Sequence, residues 1–236
     1  MLETAKKIAI LQSNYIPWKG YFDLINLVDE FILYDDAQYT RSDWRNRNII
    51  KTPQDLKWLT IPISIKGKLG QKICEAKISN SEWYQKHWAI IRNCYKKAEF
   101  FQDFSDFFEN LYLEQVNSEV YLSRVNYLFI MAINHLLGIE TKMWWSNEFQ
   151  LCDGKTERLV QLCKATKATA YLSGPTAKKY LDVAMFEAEG IRVEWMDYSD
   201  YPEYQQLYGK FEHGVTILDL IFNEGPNAKK FMKSWP

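Results

Sequence analysis

The sequence predicts an α/β fold in which a mostly parallel sheet is flanked by helices. Two observations carry this prediction. Short apolar segments bounded by turn residues alternate with segments of helical periodicity, and the first three segments form a strand–helix–strand unit. The chain has 236 residues, of which 47% are apolar. One domain spanning 1–236 is therefore expected, because that length is sufficient for a sizeable core.

The strand–helix–strand unit lies near the N-terminus. Residues 7–12 form a short apolar run that ends at Ser13, which is typical of a buried strand. Residues 21–28 have helical spacing, and residues 30–34 form a second apolar run. One crossover helix between two strands implies that the strands are parallel and that the connection is right-handed.

A further strand and a loop follow. Residues 57–63 predict a strand at a sheet edge or bulge, because Pro62 cannot donate a ladder hydrogen bond. The two glycines at Gly67 and Gly70 then predict a flexible loop.

The central part of the chain is helical. A helical block covers 82–135, with breaks near Glu99 and Asn117, and predicts a helical insertion or lobe around 82–137. The alternation then resumes, and the sheet is expected to be Rossmann-like. The remaining predicted elements are strands near 143–145, 170–172 and 191–195 and helices at 155–166, 176–188, 215–223 and 226–234.

Composition excludes several classes of protein. The formal net charge is −1, from 29 basic and 30 acidic residues, which argues against a broad nucleic-acid-binding surface. No apolar run is long enough to insert into a membrane. The four cysteines show no paired spacing with one another or with histidine, so no metal site is predicted. We therefore expect a cytoplasmic protein with no nucleic-acid partner.

Candidate site residues follow the predicted strands, because ligands of parallel α/β sheets bind beyond the carboxyl ends of the strands. Gly20 precedes a helix and could leave backbone amides open to a ligand, although an ordinary strand-to-helix turn explains it equally well. The candidate substrate-binding residues after the first strand are Gln12, Asn14, Tyr15, Gly20 and Tyr21.

A second and denser cluster follows residues 30–34. The adjacent carboxylates of Asp35 and Asp36 can point to opposite faces. The guanidinium groups of Arg45 and Arg47 suit phosphate or carboxylate, and the Trp44 ring could stack on a base or sugar ring. An internal salt-bridge network is the alternative interpretation. The candidate catalytic residues here are Asp35 and Asp36, and the candidate substrate-binding residues are Gln38, Trp44, Arg45, Asn46, Arg47 and Asn48.

A third cluster follows residues 170–172. Ser173 and Gly174 precede a predicted helix, and Lys178 lies one turn further, which together predict an anion site. The spacing is not that of a P-loop.

Histidine is the commonest general acid–base residue, and the chain has three histidines. His87 lies near a helix start and is the third candidate catalytic residue. His135 fits a core or helix-end position, and His213 fits a solvated position before a helix.

Taken together, these segments resemble the WbqC-like protein family. The Asp-Asp-x-Gln motif at 35–38 and the Arg-Asn-Arg motif at 45–47 carry much of the resemblance. The chain departs from the family pattern at Ser13, Glu99 and His213, where proline is usual. The resembling segments are 8–12 with 20–26, 34–39 with 44–48, 171–175 with 178–182, and 217–223 with 225–226.

The resemblance implies a role in bacterial surface-polysaccharide (O-antigen, lipopolysaccharide) biosynthesis. It implies transfer of a glycyl, other aminoacyl or acyl group to an amino-sugar, with a nucleotide-sugar as the expected small-molecule substrate. A weaker similarity links the first unit to adenylate-forming nucleotidyltransferases, although 18–21 contains their glycine and neither of their histidines. Two alternatives therefore stay open: an ATP- and Mg²⁺-dependent ligase or nucleotidyltransferase, and a non-catalytic sugar-nucleotide binding module. The cofactor stays open as well.

Overall fold

The computed structural model describes residues 5–235, so residues 1–4 and 236 of the predicted domain lie outside the described residues. Five parallel strands form a sheet in the order β5-β2-β1-β6-β7, and β3 and β4 form a separate antiparallel ribbon. The strands are β1 Lys7–Leu11, β2 Glu30–Leu33, β3 Arg47–Lys51, β4 Leu56–Thr60, β5 Lys142–Trp145, β6 Ala170–Ser173 and β7 Arg192–Trp195.

The parallel sheet confirms the predicted α/β, Rossmann-like fold. From β1 the chain adds β2 and then β5 on one side, and it returns to add β6 and then β7 on the other. The loops after β1 and β6 therefore diverge, and the crevice at this reversal of strand order is where doubly wound sheets bind ligands.

Helices cover both faces of the sheet. Side chains alternate between faces along a strand, so Ala9 joins one apolar core while Ile8 and Ile10 join another on the opposite face. The larger core contains α1–α4 and α7, and the smaller contains α5 and α6. The helices are α1 Lys19–Asn26, α2 Trp83–Tyr95, α3 Phe101–Asn110, α4 Leu122–Leu137, α5 Lys155–Ala165, α6 Val183–Glu187 and α7 Ile217–Glu224.

The predicted helical region around 82–137 is present as α2, α3 and α4, with a π-helical turn at Leu111–Gln115 after α3. Helix α7 connects this region to the sheet. The ring of Phe222 on α7 lies 5.0 Å from that of Phe101 and 5.4 Å from that of Phe108, and all three side chains are buried. None of the helices within residues 5–235 combines the length and apolar character that a membrane span requires.

Three predicted elements differ from the structure. The strand expected at 57–63 is β4, which ends at Thr60 and pairs with β3, a segment for which no strand was predicted. The helix expected at 176–188 is a 3₁₀ turn at Pro175–Lys179 followed by α6. The break has a local cause, because the Asp182 side chain accepts a hydrogen bond from the Ala184 amide (3.1 Å) and starts a new helix. The helix expected at 226–234 is a 3₁₀ segment, Gly225–Phe231.

Candidate functional site

A cleft of about 450 Å³ lies beside the carboxyl end of β1. Three parts of the chain form it: the loop after β1, the β3–β4 ribbon with the residues before it, and the irregular segment 196–214 after β7. We call 196–214 the wall segment. The lining residues are Asn14, Pro17, Trp18, Trp44, Asn48, Tyr198, Asp200, Tyr201, His213 and Gly214.

The ribbon holds the loop after β1 in place. The Asn48 amide donates hydrogen bonds to the carbonyls of Tyr15 (3.0 Å) and Ile16 (2.7 Å). Ile16 has a φ of 36°, which is uncommon for a β-branched residue, and its carbonyl also accepts a hydrogen bond from the Thr216 hydroxyl at 2.7 Å. This strained backbone persists because several partners fix it, and such residues concentrate at functional sites.

Four tryptophan and tyrosine rings line the cleft. The Trp18 ring lies 5.1 Å from that of Tyr198 and 5.5 Å from that of Tyr201. On the ribbon side, the Trp44 ring lies 5.2 Å from that of Trp58, and Trp44 is 41% exposed. Flat rings beside the amide of Asn14 and the carboxylate of Asp200 suit a ligand that carries both an apolar face and hydroxyl groups.

Gly20 makes the position of Trp18 possible. A Cβ at Gly20 would lie 2.4 Å from the Trp18 ring, closer than any packed contact allows. The glycine at the start of α1 therefore allows the indole to lie against the helix and form one wall of the cleft.

Arg45 places a cation beside the cleft. Its guanidinium donates a hydrogen bond to the Asn14 side-chain oxygen, and Asn14 lines the cleft. Burial lowers the pKa of Arg45, while nearby Asp43 and the Tyr21 hydroxyl act in the opposite direction. An arginine remains protonated under such conditions, so this group offers a fixed positive charge to an anionic ligand. Arg47 is different, because its guanidinium lies 4.0 Å from the Trp58 ring centre, on the ribbon surface.

Asp35 belongs to a buried network at the end of β2. It is 1% exposed, and its carboxylate accepts hydrogen bonds from the Ser13 amide (2.8 Å) and from the Ser123 hydroxyl. Asn126 extends the network by donating to the Ser13 hydroxyl at 3.0 Å. Burial raises the pKa of the Asp35 carboxyl, against the opposing effect of these donors and of Arg45. The network joins the loop after β1 to α4.

Asp36 faces the other side of the same turn. Its carboxylate pairs with Lys72 at 2.8 Å and accepts a hydrogen bond from the Ser146 hydroxyl at 2.8 Å. The adjacent carboxylates therefore point to different surroundings, although they lie in the turn after β2 and not in extended chain.

His87 lies on α2, behind the loop after β1. It is 6% exposed, and its Nδ1 lies 2.8 Å from the Tyr15 hydroxyl, which also contacts the Tyr112 hydroxyl at 2.6 Å. Burial lowers the pKa of His87 from 6.5 to about 4. The imidazole is consequently neutral near pH 7 and supports Tyr15 from behind the cleft.

The His87 environment predicts a specific pH dependence of stability. Because the pKa of His87 is lower in the native state than in the unfolded chain, the neutral imidazole contributes to the free energy of unfolding. This contribution is complete above pH 6.5 and is lost as the pH falls towards 4. We expect the free energy of unfolding to fall by about 2 kcal/mol through this histidine as the pH is lowered from about 7.5 to about 5. Urea denaturation across that range should show this loss in the wild type and a flatter profile in His87→Gln. Parallel profiles for wild type and His87→Gln would contradict the assignment.

Lys19 fastens the wall segment to the start of α1. It is 3% exposed, and its ammonium donates to the Pro202 carbonyl at 2.9 Å. The same nitrogen lies 4.9, 5.2 and 5.9 Å from the ring centres of Tyr201, Tyr204 and Phe211. Burial lowers the pKa of Lys19 to about 8, and the aromatic faces and carbonyl compensate part of the desolvation.

Two further lysines hold the same segment. Lys51 on β3 donates to the Gln206 side chain at 3.0 Å and to the Lys210 carbonyl at 2.7 Å. Near the C-terminus, Lys233 pairs with the Asp197 carboxylate at 3.1 Å. The wall segment has no regular secondary structure, yet side chains from three parts of the chain fix its position.

The structure brings together only part of the predicted site. Asn14, Trp44 and Asn48 line the cleft and Arg45 contacts it. Ser173 at the end of β6, and Gly174 and Lys178 after it, do not line the cleft. Gln38 lines a separate groove with Ile65 and residues 67–71. The other predicted residues make contacts within the fold. The Gln12 carbonyl accepts a hydrogen bond from the Tyr21 hydroxyl (3.0 Å), and the Asn46 amide donates one to the Ile61 carbonyl (2.8 Å). The contacts given above account for the rest: Tyr15, Gly20, Asp35, Asp36, His87 and Arg47.

The wall segment was not predicted as part of the site. Tyr198, Asp200, Tyr201 and Gly214 line the cleft without having been predicted as site residues. His213 is exposed, as predicted, and also lines the cleft. The available signal was the density of aromatic and acidic residues between 195 and 204. Within residues 5–235, no group of three or more His, Cys, Asp or Glu side chains lies close enough together to hold a metal ion.

Fold and cleft define the chain as a Rossmann-like α/β protein with an aromatic cleft at the carboxyl end of its first strand. Within that class it belongs to the WbqC-like protein family, whose family model matches residues 12–231. It is 49% identical over 228 residues to "Uncharacterized protein Rv1507c" of Mycobacterium tuberculosis, and the match covers 97% of this chain and 98% of that relative. No solved structure matches the chain.

Proposed function

We propose that this protein is an enzyme of bacterial surface-polysaccharide biosynthesis that transfers a glycyl, other aminoacyl or acyl group to a nucleotide-linked amino-sugar. The observation that supports this most directly is the cleft itself. Four aromatic rings, two asparagines, a carboxylate and an imidazole surround a cavity of about 450 Å³ beside a half-buried arginine. That volume is within the range of small-molecule sites.

The cleft groups match the parts of such a substrate. Trp18 and Trp44 offer faces for a sugar or base ring, Asn14 and Asp200 offer hydrogen bonds to hydroxyl groups, and Arg45 offers a charge for the diphosphate. An arginine next to a ring-binding surface favours an anionic ligand over a neutral sugar.

Acyl transfer requires a base. The sugar amine attacks the activated carbonyl, a C–N bond forms, the bond to the leaving group breaks, and the base takes the amine proton. The predicted bases Asp35 and Asp36 are each held by two hydrogen-bonding partners. Asp200 and His213 line the cleft itself, so we propose that one of these two groups accepts the proton, with Asp35 positioning the loop beneath the substrate.

Trp44 and Trp58 provide a matched test of this proposal. Both indoles are 41% exposed and they pack on each other, but Trp44 lines the cleft and Trp58 does not. We expect Trp44→Ala to weaken binding of a nucleotide-linked amino-sugar by about 10- to 100-fold, because one stacking contact contributes about 1–3 kcal/mol. Trp58→Ala should change it by less than about threefold. Calorimetric titration measures both.

The ligand panel separates the alternatives. Thermal-shift measurements with nucleotide-linked amino-sugars, with glycine, and with ATP in the presence and absence of Mg²⁺ detect binding to the folded state. A shift with a nucleotide-sugar supports the proposal. A shift with ATP only in the presence of Mg²⁺ would instead favour ligase or nucleotidyltransferase chemistry. Ligand binding without group transfer in the presence of glycine or an activated acyl donor would favour a binding module.

A further inference from the structure

Charge is unevenly distributed along the chain. The segment 41–72, which contains the β3–β4 ribbon, has eight Lys and Arg residues and two Asp residues, a net charge of +6. The rest of the chain has 21 basic and 28 acidic residues, although the whole protein is close to neutral. A local excess of positive charge attracts an anionic partner even when the net charge of the whole protein is near zero.

Several of these cations have no acidic partner. Arg45, Lys51 and Lys72 are engaged with Asn14, the wall segment and Asp36. Among the described residues, the other five form no ion pair: Arg41, Arg47, Lys57, Lys66 and Lys68.

Large apolar side chains are exposed in the same segment. Trp44 and Trp58 are each 41% exposed, and Leu69 is fully exposed. Leu69 lies in a loop between Gly67 (φ 72°) and Gly70 (φ 76°), and a Cβ added at either glycine would meet no atom within 4 Å. The loop therefore projects from the surface and presents a leucine beside two lysines.

Contacts connect most of these groups across the ribbon and the adjacent loop. The guanidinium of Arg47 lies on the Trp58 ring, which packs on Trp44. Arg41 and Arg47 both lie close enough to Tyr39 to affect its pKa, although burial, the largest effect, raises that pKa. Tyr39 and Arg41 line a groove with Lys68 and Leu69. We call this surface the basic–aromatic face; its residues are Arg41, Trp44, Arg47, Trp58, Lys66, Lys68 and Leu69.

We propose that the basic–aromatic face docks the protein on an anionic membrane surface. Lysine and arginine are attracted to anionic headgroups, tryptophan favours the membrane–water interface, and an exposed leucine at a loop tip gains free energy by entering the acyl boundary. A projecting aliphatic tip favours a bilayer over a nucleic acid, because a phosphate backbone offers leucine no apolar partner. Trp44 also lines the cleft, so docking brings the mouth of the cleft to the bilayer.

Vesicle co-sedimentation of the full chain tests this proposal independently of the proposed enzymatic function. The wild type should bind phosphatidylcholine vesicles that contain about 30% phosphatidylglycerol, should bind pure phosphatidylcholine far more weakly, and should lose affinity as salt rises. The double variant Lys66→Glu/Lys68→Glu should lose at least about tenfold in partition coefficient. Leu69→Ser should lose about three- to tenfold through the apolar contribution.

The matched control reverses the charge of two exposed lysines outside the basic–aromatic face. Lys96→Glu/Lys97→Glu changes the net charge by the same amount at the end of α2 and should stay within about threefold of the wild type. Equal losses in the two double variants, or no binding to the anionic vesicles at low salt, would overturn the proposal. Binding to single-stranded DNA that Leu69→Ser leaves unchanged, without vesicle binding, would also overturn it and assign the face to a nucleic acid. None of these residues is buried, so unchanged urea midpoints are expected for all variants.

Discussion

Asp35→Ala should lower the free energy of unfolding by about 3 to 5 kcal/mol. The substitution removes the acceptor of two buried donors, the Ser13 amide and the Ser123 hydroxyl. Each buried donor left without a partner costs about 1–3 kcal/mol, and the removed carboxylate leaves a small cavity. Urea denaturation near pH 7 measures the effect. The adjacent Asp36→Ala is the control, and its cost should be smaller, about 1 to 2 kcal/mol. Of its two partners, Lys72 is exposed and can be solvated, and only the buried Ser146 hydroxyl loses an acceptor that water does not replace.

The pH dependence of Asp35→Asn tests the same site in a second way. Burial raises the pKa of this carboxyl above its ordinary value of 3.8, so the native state binds the proton more tightly than the unfolded chain. The part of the Asp35 contribution to stability that depends on protonation is therefore complete below pH 3.8 and is lost as the pH rises through the native pKa, whereas its two hydrogen bonds as acceptor persist in the ionised form. The stability difference between wild type and Asp35→Asn should narrow from pH 4 towards pH 7. A difference that widens over this range would show that the native carboxyl is preferentially ionised.

The parts of the fold that local patterns specify were predictable. Residues 7–11, 30–33 and 170–173 are short apolar runs between turn signals, and a crossover helix of fixed hand leaves few ways to join them. The same logic placed Asn14 at the carboxyl end of β1, where it lines the cleft.

The β3–β4 ribbon was only half predictable. β3 begins with Arg47 and Asn48, which favour a loop in isolation, and Asn48 turns inward to bind the carbonyls of the loop after β1. The partner that satisfies its amide lies more than 30 positions away along the chain. Local periodicity contains no information about such a contact, so this strand is a product of tertiary structure.

The wall segment could not be predicted for a similar reason. It has no period of 2 or 3.6, and its position depends on Lys19, Lys51 and Lys233, which are distant in sequence. Sequence alone also cannot separate aromatic residues that line a cleft from those of a core. Tyr201 and Tyr204 lie three positions apart, yet one lines the cleft and the other binds a buried carboxylate.

Asp219→Ala should also cost about 3 to 5 kcal/mol, and its effect should concentrate on the cleft. Asp219 on α7 is fully buried and accepts hydrogen bonds from the Tyr95 and Tyr204 hydroxyls, each at 2.8 Å. Tyr204 in turn accepts a hydrogen bond from Gln206, which also accepts one from Lys51. Removal of the carboxylate leaves two buried hydroxyls without their acceptor and releases the tyrosine that anchors the wall segment. Urea denaturation should show the global loss, and amide hydrogen exchange should show its distribution.

Amide hydrogen exchange distinguishes a local effect of Asp219→Ala on the wall segment from a global loss of stability. Amides within 201–214 should exchange at least about tenfold faster in Asp219→Ala, beyond the change that the global destabilisation produces elsewhere, because the anchor of that segment is lost. Glu224→Ala is the matched control. Glu224 also lies on α7, is partly exposed, and accepts a hydrogen bond from the Gln205 amide of the wall segment at 3.3 Å. Its removal should lower the free energy of unfolding by less than about 1 kcal/mol. A uniform increase in exchange would assign Asp219 to general core stability. A local increase, together with weaker ligand binding, would show that a buried carboxylate on α7 maintains the cleft from behind its wall.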